Sequence, residues 1–130
     1  MEKLPEVVTL LAIAVFFGCL AAVGRGRTKY GIHAPATTGH PDFERLFRVQ
    51  MNTLEALVMF LPALWTAARY AGPALVGGIG LLWILGRVWY AVAYAIDAKK
   101  RGPGFGMGLL STAALWLIGA WGVVASLLAH

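Results

Sequence analysis

The chain has 130 residues, 59% apolar and only 13% charged, with a net charge of +5. That balance excludes an ordinary soluble domain and places it among membrane proteins. One cysteine and three scattered histidines exclude an internal disulfide framework and a metal centre alike, and the positive charge reads as membrane topology and attraction to anionic lipid rather than nucleic-acid binding.

A spanning helix takes roughly 20 mostly apolar residues. Four runs qualify, and helices are expected at about 7–23, 42–70, 73–100 and 106–129. Together they take up residues 1–130 as a single domain, an all-α integral membrane bundle of four transmembrane helices. The first run opens with Glu2 and Glu6 against Lys3, the wrong charge balance for a signal peptide, so an uncleaved helix is expected. Cys19, mid-helix among apolar neighbours, reads as a small buried hydrophobe.

The connection that follows carries Arg25, Arg27 and Lys29 together with Gly26, Gly31, Pro35, Gly39 and Pro41, a composition that breaks helix. Asp42 after Pro41 is expected to cap the second helix, and Pro62 to kink it. Within this helix polar groups enter what should be membrane. At about 100° per residue, Arg45, Arg48, Asn52 and Glu55 share one narrow face. Polar groups at that depth usually face a partner or a ligand, and donors above a carboxylate suit a zwitterionic, peptide-like one. Gln50 lies roughly 160° round from Asn52. It reaches the same ligand only from a neighbouring subunit, which points to a symmetric oligomer with sites between subunits.

Ala71-Gly72-Pro73 is a tight turn into the third helix, where Gly77, Gly78 and Gly80 permit close helix approach. Arg87, Tyr90, Tyr94, Asp97 and Arg101 form a second polar stripe if that helix continues past the membrane surface. Gly102-Pro103-Gly104-Phe105-Gly106 reads as a loop, because no strand precedes it and no Lys-Ser/Thr follows. Trp83, Trp89 and Trp121 fit interfacial anchors and core residues equally well. Arg25, Arg27, Lys29 and Arg45 lie in one long connection and Lys99, Lys100 and Arg101 in the other, against Lys3, Arg69 and His130 opposite. The positive-inside rule puts loops 24–44 and 98–105 in the cytoplasm and both termini on the other side.

The run Ala34-Pro35-Ala36-Thr37-Thr38-Gly39, followed by Phe43-Glu44-Arg45-Leu46-Phe47-Arg48-Val49-Gln50-Met51-Asn52-Thr53-Leu54-Glu55, resembles the membrane-associated proteins in eicosanoid and glutathione metabolism, MAPEG. Within that family it is most similar to the branch of leukotriene C4 synthase and the microsomal glutathione transferases. The resemblance implies a homotrimer that binds glutathione, as co-substrate and without a metal, at each subunit interface near the cytosolic surface. It implies Arg48, Asn52, Glu55, Tyr90 and Tyr94 as glutathione-binding residues, with Arg27 and Gln50 supplied by the adjacent subunit. Arg101 matches the arginine that stabilises the glutathione thiolate, and Trp116 a tryptophan touching the lipophilic substrate, with helices one and four forming the groove for that substrate. Ala56 departs from the pattern, standing where the leukotriene-synthase branch has a tyrosine.

The activity so implied is glutathione transfer to lipophilic electrophiles, with reduction of lipid hydroperoxides as a further activity. The alternatives are a non-catalytic lipid-binding member of the same family and a small multidrug transporter. A transporter of that kind relies on an acid buried in its first helix, and residues 7–23 contain none.

Overall fold

The computed structural model describes residues 1–129, so His130 lies outside the described residues. They form four long helices: α1 (Leu4–Tyr30), α2 (Pro41–Ala68), α3 (Pro73–Ile96) and α4 (Gly102–Leu128), with a 3₁₀ turn at Ala98–Lys100. All four are long and apolar enough to cross a membrane. α1 packs on α2 and α3, and α4 packs on α3 and α2, so the α2–α3 pair stands between α1 and α4.

The core collects Val8 from α1, Phe60 and Leu64 from α2, Trp83 from α3 and Leu115 from α4. Phe60 and Trp83 stack with ring centroids 4.1 Å apart, which makes Trp83 a core residue. Trp89 and Trp121 remain exposed, among the large apolar side chains such as Phe17, Leu85 and Leu110 that clothe the outside of the bundle. An outer surface of this kind is compatible with lipid and not with water.

Several helix boundaries differ from expectation, each for a local reason. α1 runs on to Tyr30 rather than ending near residue 23. Gly26 is buried in the α1–α2 contact instead of breaking the helix: a Cβ there would meet Leu46 and Phe43 at 3.1 and 3.2 Å. The stop comes at Gly31, whose φ of 66° closes the helix through an N–H bond to the Arg27 carbonyl. Arg27 and Lys29 therefore sit in the last turn, where the helix dipole favours cations. At the start of α2 the cap is His40 rather than Asp42. The His40 Nδ1 accepts the Asp42 N–H at 3.1 Å, and the Asp42 carboxylate pairs with Arg45.

The third difference matters more for the site. α3 ends at Ile96 rather than at about residue 100, because Asp97 is extended and its carboxylate accepts the Lys99 N–H at 3.0 Å. α4 then starts at Gly102, with Pro103 in its first turn where the missing N–H costs nothing. The stretch expected as a loop at 102–106 is thus helical. Of its glycines, Gly104 serves contact: a Cβ there would lie 2.5 Å from the Tyr90 backbone nitrogen, and one on Gly86 of α3 would lie 2.9 Å from that of Gly108.

Gly104→Ala will therefore force α3 and α4 apart at Tyr90 and destabilise the protein by about 1–3 kcal/mol, the usual range for overpacking. Gly102→Ala, at a position open to solvent, is the matched control. Thermal unfolding in detergent separates them, and equal midpoints would contradict the close contact.

Candidate active site

The inward stripe of α2 is Val49, Thr53, Leu57, Phe60 and Leu64, all buried. Turning one residue back from Thr53 brings Asn52 to the edge of that stripe, half-buried, with Glu55 and Arg48 exposed on the same side. Asn52, Glu55 and Ala56 line a cavity of about 190 Å³ between α2, α3 and α4, closed on the far side by Trp83, Arg87 and Phe105. Arg48 stands a turn toward the α2 N-terminus, outside that lining. Arg45 does not line this cavity: it pairs with Asp42 and its Nε donates to the Ala95 carbonyl at 3.4 Å, tying α2 to the end of α3.

α3 and the turn that follows it contribute a ladder of two rings between two charges. The Arg87 Cζ lies 4.2 Å from the Tyr90 ring centroid, Tyr90 lies 5.5 Å from Tyr94, and the Arg101 Cζ lies 5.8 Å from Tyr94. Tyr90 is buried against Cys19 of α1 and Val49 of α2, with Phe105 of α4 on its other flank at 6.1 Å. Tyr94 is half-buried. Arg101 is exposed and follows the break at Asp97, so it is not on the α3 helix as the stripe required. The 3₁₀ turn nevertheless folds it back over Tyr94, with its Nη1 donating to the Ala98 carbonyl at 2.8 Å. Asp97 drops out of the stripe because its carboxylate serves the turn.

Arg27 and Gln50 are apart from this group. The Arg27 Nη1 donates to the Ala36 carbonyl at 2.8 Å and its Cζ stacks 5.1 Å over Phe43, so within one chain it braces the loop after α1. Gln50 is half-buried, away from the cavity lining. A single chain therefore brings together Asn52 and Glu55 in one cavity, and Tyr90, Tyr94 and Arg101 in one ladder. It does not bring Arg27 or Gln50 to either.

Trp116 lines an apolar groove of about 770 Å³ between α2 and α4, with Met59, Pro62, Thr66 and Gly119. Helices one and four, expected to form the groove for the lipophilic substrate, do not form one within a single chain. In one chain those helices lie on opposite sides of the α2–α3 pair, and α2 forms the wall opposite Trp116. Met59, Leu109 and Thr112 line both this groove and the smaller polar cavity, so the two adjoin.

Arg87 lies deeper than its place in the polar stripe implied. It is only 2% exposed, and its Nη2 donates at 2.9 Å to the Thr53 Oγ1, which in turn donates to the Val49 carbonyl at 2.7 Å. The available signal was an arginine one turn before Tyr90 in an otherwise apolar helix. The spacing gave its direction but not its depth.

The sequence model of the MAPEG family matches residues 6–121 of this chain. An uncharacterized protein of Synechocystis is 47% identical over 116 residues, covering 89% of this chain and 84% of the relative. Human microsomal glutathione S-transferase 2 is 38% identical, covering 93% of this chain and 86% of its own length. Guinea pig (Cavia porcellus) leukotriene C4 synthase is 36% identical, covering 95% and 79% respectively. A match of this extent, over a four-helix apolar bundle, means that the chain belongs to the MAPEG family.

Proposed function

We propose that the protein is a membrane-bound glutathione S-transferase that acts on lipophilic electrophiles. The observation that carries this reading is the adjoining pair of spaces: a small cavity with Asn52 and Glu55, and a long apolar groove beside Trp116 that shares Met59, Leu109 and Thr112 with it. The small cavity suits one end of a zwitterionic tripeptide, the groove an apolar partner drawn from the bilayer. Two relatives named for glutathione transfer and leukotriene C4 synthesis support the same chemistry.

In this reading Arg48, Asn52, Glu55, Tyr90 and Tyr94 hold glutathione, and Arg101 faces its thiol. A free thiol, with pKa near 8.5, is mostly protonated at neutral pH, and a neighbouring guanidinium favours the thiolate. Arginine suits the task because it stays charged and takes up no proton. The thiol proton leaves to solvent. The sulfur pair then forms the new C–S bond while the electrophile's leaving group departs with its own electrons. With a hydroperoxide instead, the thiolate takes the terminal oxygen and releases an alcohol, and a second glutathione converts the sulfenic acid to a disulfide and water. Formation of a glutathione conjugate from an aryl halide by the purified, detergent-solubilised protein tests the transferase reading. No rate above the uncatalysed reaction would overturn it.

The assembly we propose is a homotrimer with a site at each interface. Three features support it: Gln50 on the far side of α2 from Asn52, Arg27 remote from the cavity, and α1 separated from α4 within one chain. A second copy would supply the missing residues and bring its α1 opposite α4. We also place the loops at 31–40 and 97–101 on the cytoplasmic side, on the basic residues that flank them. Chemical cross-linking and mass measurement in mild detergent will give three copies per particle. A monomer that binds glutathione fully would overturn the shared site.

A further inference from the structure

The cavity between α2, α3 and α4 presents polar demands that the chain itself leaves open. Arg87 is 2% exposed and at bundle depth. Its Nη2 is satisfied by Thr53, but its buried Nε–H has no acceptor among the described residues, and the buried Asn52 Oδ1 has no donor. Glu55 lines the same cavity, and among the described residues it forms no salt bridge, with Arg87 or with any other cation. Buried Arg87 and exposed Glu55 thus line one space without pairing, and for Arg87 a buried charge without an ionic partner is costly.

The unmet groups specify their occupant. Glu55 and the Asn52 oxygen call for N–H donors, preferably cationic, and the Arg87 Nε–H calls for an acceptor, preferably anionic. A water molecule would satisfy hydrogen bonds but neutralise neither charge. An ammonium and a carboxylate on the same carbon satisfy all of them at once. The volume agrees: about 190 Å³ falls below the roughly 300–1,000 Å³ of whole small-molecule sites, so the cavity takes one end of a ligand and not all of it.

We propose that Arg87 is a further ligand-binding residue, receiving the α-carboxylate of an amino-acid end group whose ammonium lies between Glu55 and Asn52. The inference rests on the glutathione reading, since glutathione carries one such end, on its γ-glutamyl residue, whereas its glycyl end has a carboxylate alone. Arg87 then fixes which end of the tripeptide enters the bundle. The sulfur stays outside the cavity, on the side of Tyr94 and Arg101.

The test is a cycle of protein and ligand changes, read by calorimetry on the folded protein. The ligands are glutathione and the analogue in which hydrogen replaces the γ-glutamyl α-carboxylate. Wild type will prefer glutathione by about thirtyfold or more, and Arg87→Met will reduce that preference to about threefold or less, because the same charge pair is lost from either side. Arg87→Gln removes the charge but keeps a donor for Thr53, and the same collapse is expected of it, so it carries the test if the methionine variant does not fold. A merely structural arginine would give variants that bind both ligands more weakly by one common factor, and that result overturns the proposal. So does undiminished discrimination in a folded variant. Failure of the wild type to bind glutathione at all would instead overturn the functional reading from which the ligand was taken.

Discussion

Replacing Glu55 by alanine will weaken glutathione binding by about 2–5 kcal/mol, and Arg48→Ala will fall in the same range. The size follows from what is left behind. Once the protein charge is removed, a ligand ammonium or carboxylate remains desolvated without its partner. Asn52→Ala removes a neutral group and will lose less, roughly 1–3 kcal/mol. Both Glu55 and Arg48 are exposed in an isolated chain, and exposed ion pairs contribute only about 0–1 kcal/mol. The full loss therefore requires that a neighbouring subunit cover them. Calorimetry on each variant, in detergent that preserves the oligomer and again in one that dissociates it, separates the two cases. Large losses in the oligomer that shrink on dissociation support an interfacial site. Equal and negligible losses at all three positions would move the site elsewhere.

The parts of this architecture that depend on composition were legible in the sequence. Four long apolar runs separated by turn-rich segments can satisfy their backbone in lipid only as helices, and four such helices are present among the described residues. The boundaries were less legible because glycine means two things. Gly26 and Gly104 look like helix breakers, yet each lies against a neighbouring helix, where a Cβ would be crowded at Gly26 and would collide at Gly104, and it is Gly31 that ends a helix through its positive φ. Nothing local distinguishes a glycine that permits contact from one that stops a helix. Asp97 carries the same ambiguity, as its side chain can serve a turn or a polar face, and here it serves the turn.

The site divides along the same line. Asn52 and Glu55 were placed on one face by spacing, and they line one cavity. Tyr90 and Tyr94 were likewise grouped and pack together. The contributions of α4, Phe105 to the polar cavity and Leu109 to both spaces, depend on a helix crossing set by Gly86, Gly104 and Gly108. That is a tertiary fact with no periodic signature. Burial of Arg87 is of the same kind. Helical spacing gives the direction of a side chain, and only the packing of three helices decides whether it reaches solvent.

Arg101→Ala will abolish most conjugation at neutral pH while changing glutathione affinity only modestly. Arg101 is exposed at the junction of the 3₁₀ turn and α4, with its guanidinium carbon 5.8 Å from the Tyr94 ring. The break at Asp97 frees it from the helix, and the bond to the Ala98 carbonyl holds it on the tyrosine side. Placed there, its charge can favour the thiolate of a ligand whose other end is held between α2 and α3. Removing the charge raises the bound thiol's pKa, and each unit corresponds to about 1.4 kcal/mol, or a tenfold smaller thiolate fraction below that pKa. The sign fixes the pH profile: the variant loses most at low and neutral pH, and recovers part of the wild-type rate as the pH rises toward the new pKa. Arg101→Lys keeps the charge without the planar fork and will fall between the two. Thiolate absorbance titrated against pH, for wild type and Arg101→Ala with glutathione bound, measures the shift directly. Superimposable titrations would reduce Arg101 to a surface charge that marks topology. The site would then be a binding site without an activating cation at this position, as expected of a family member that carries lipophilic molecules without transforming them.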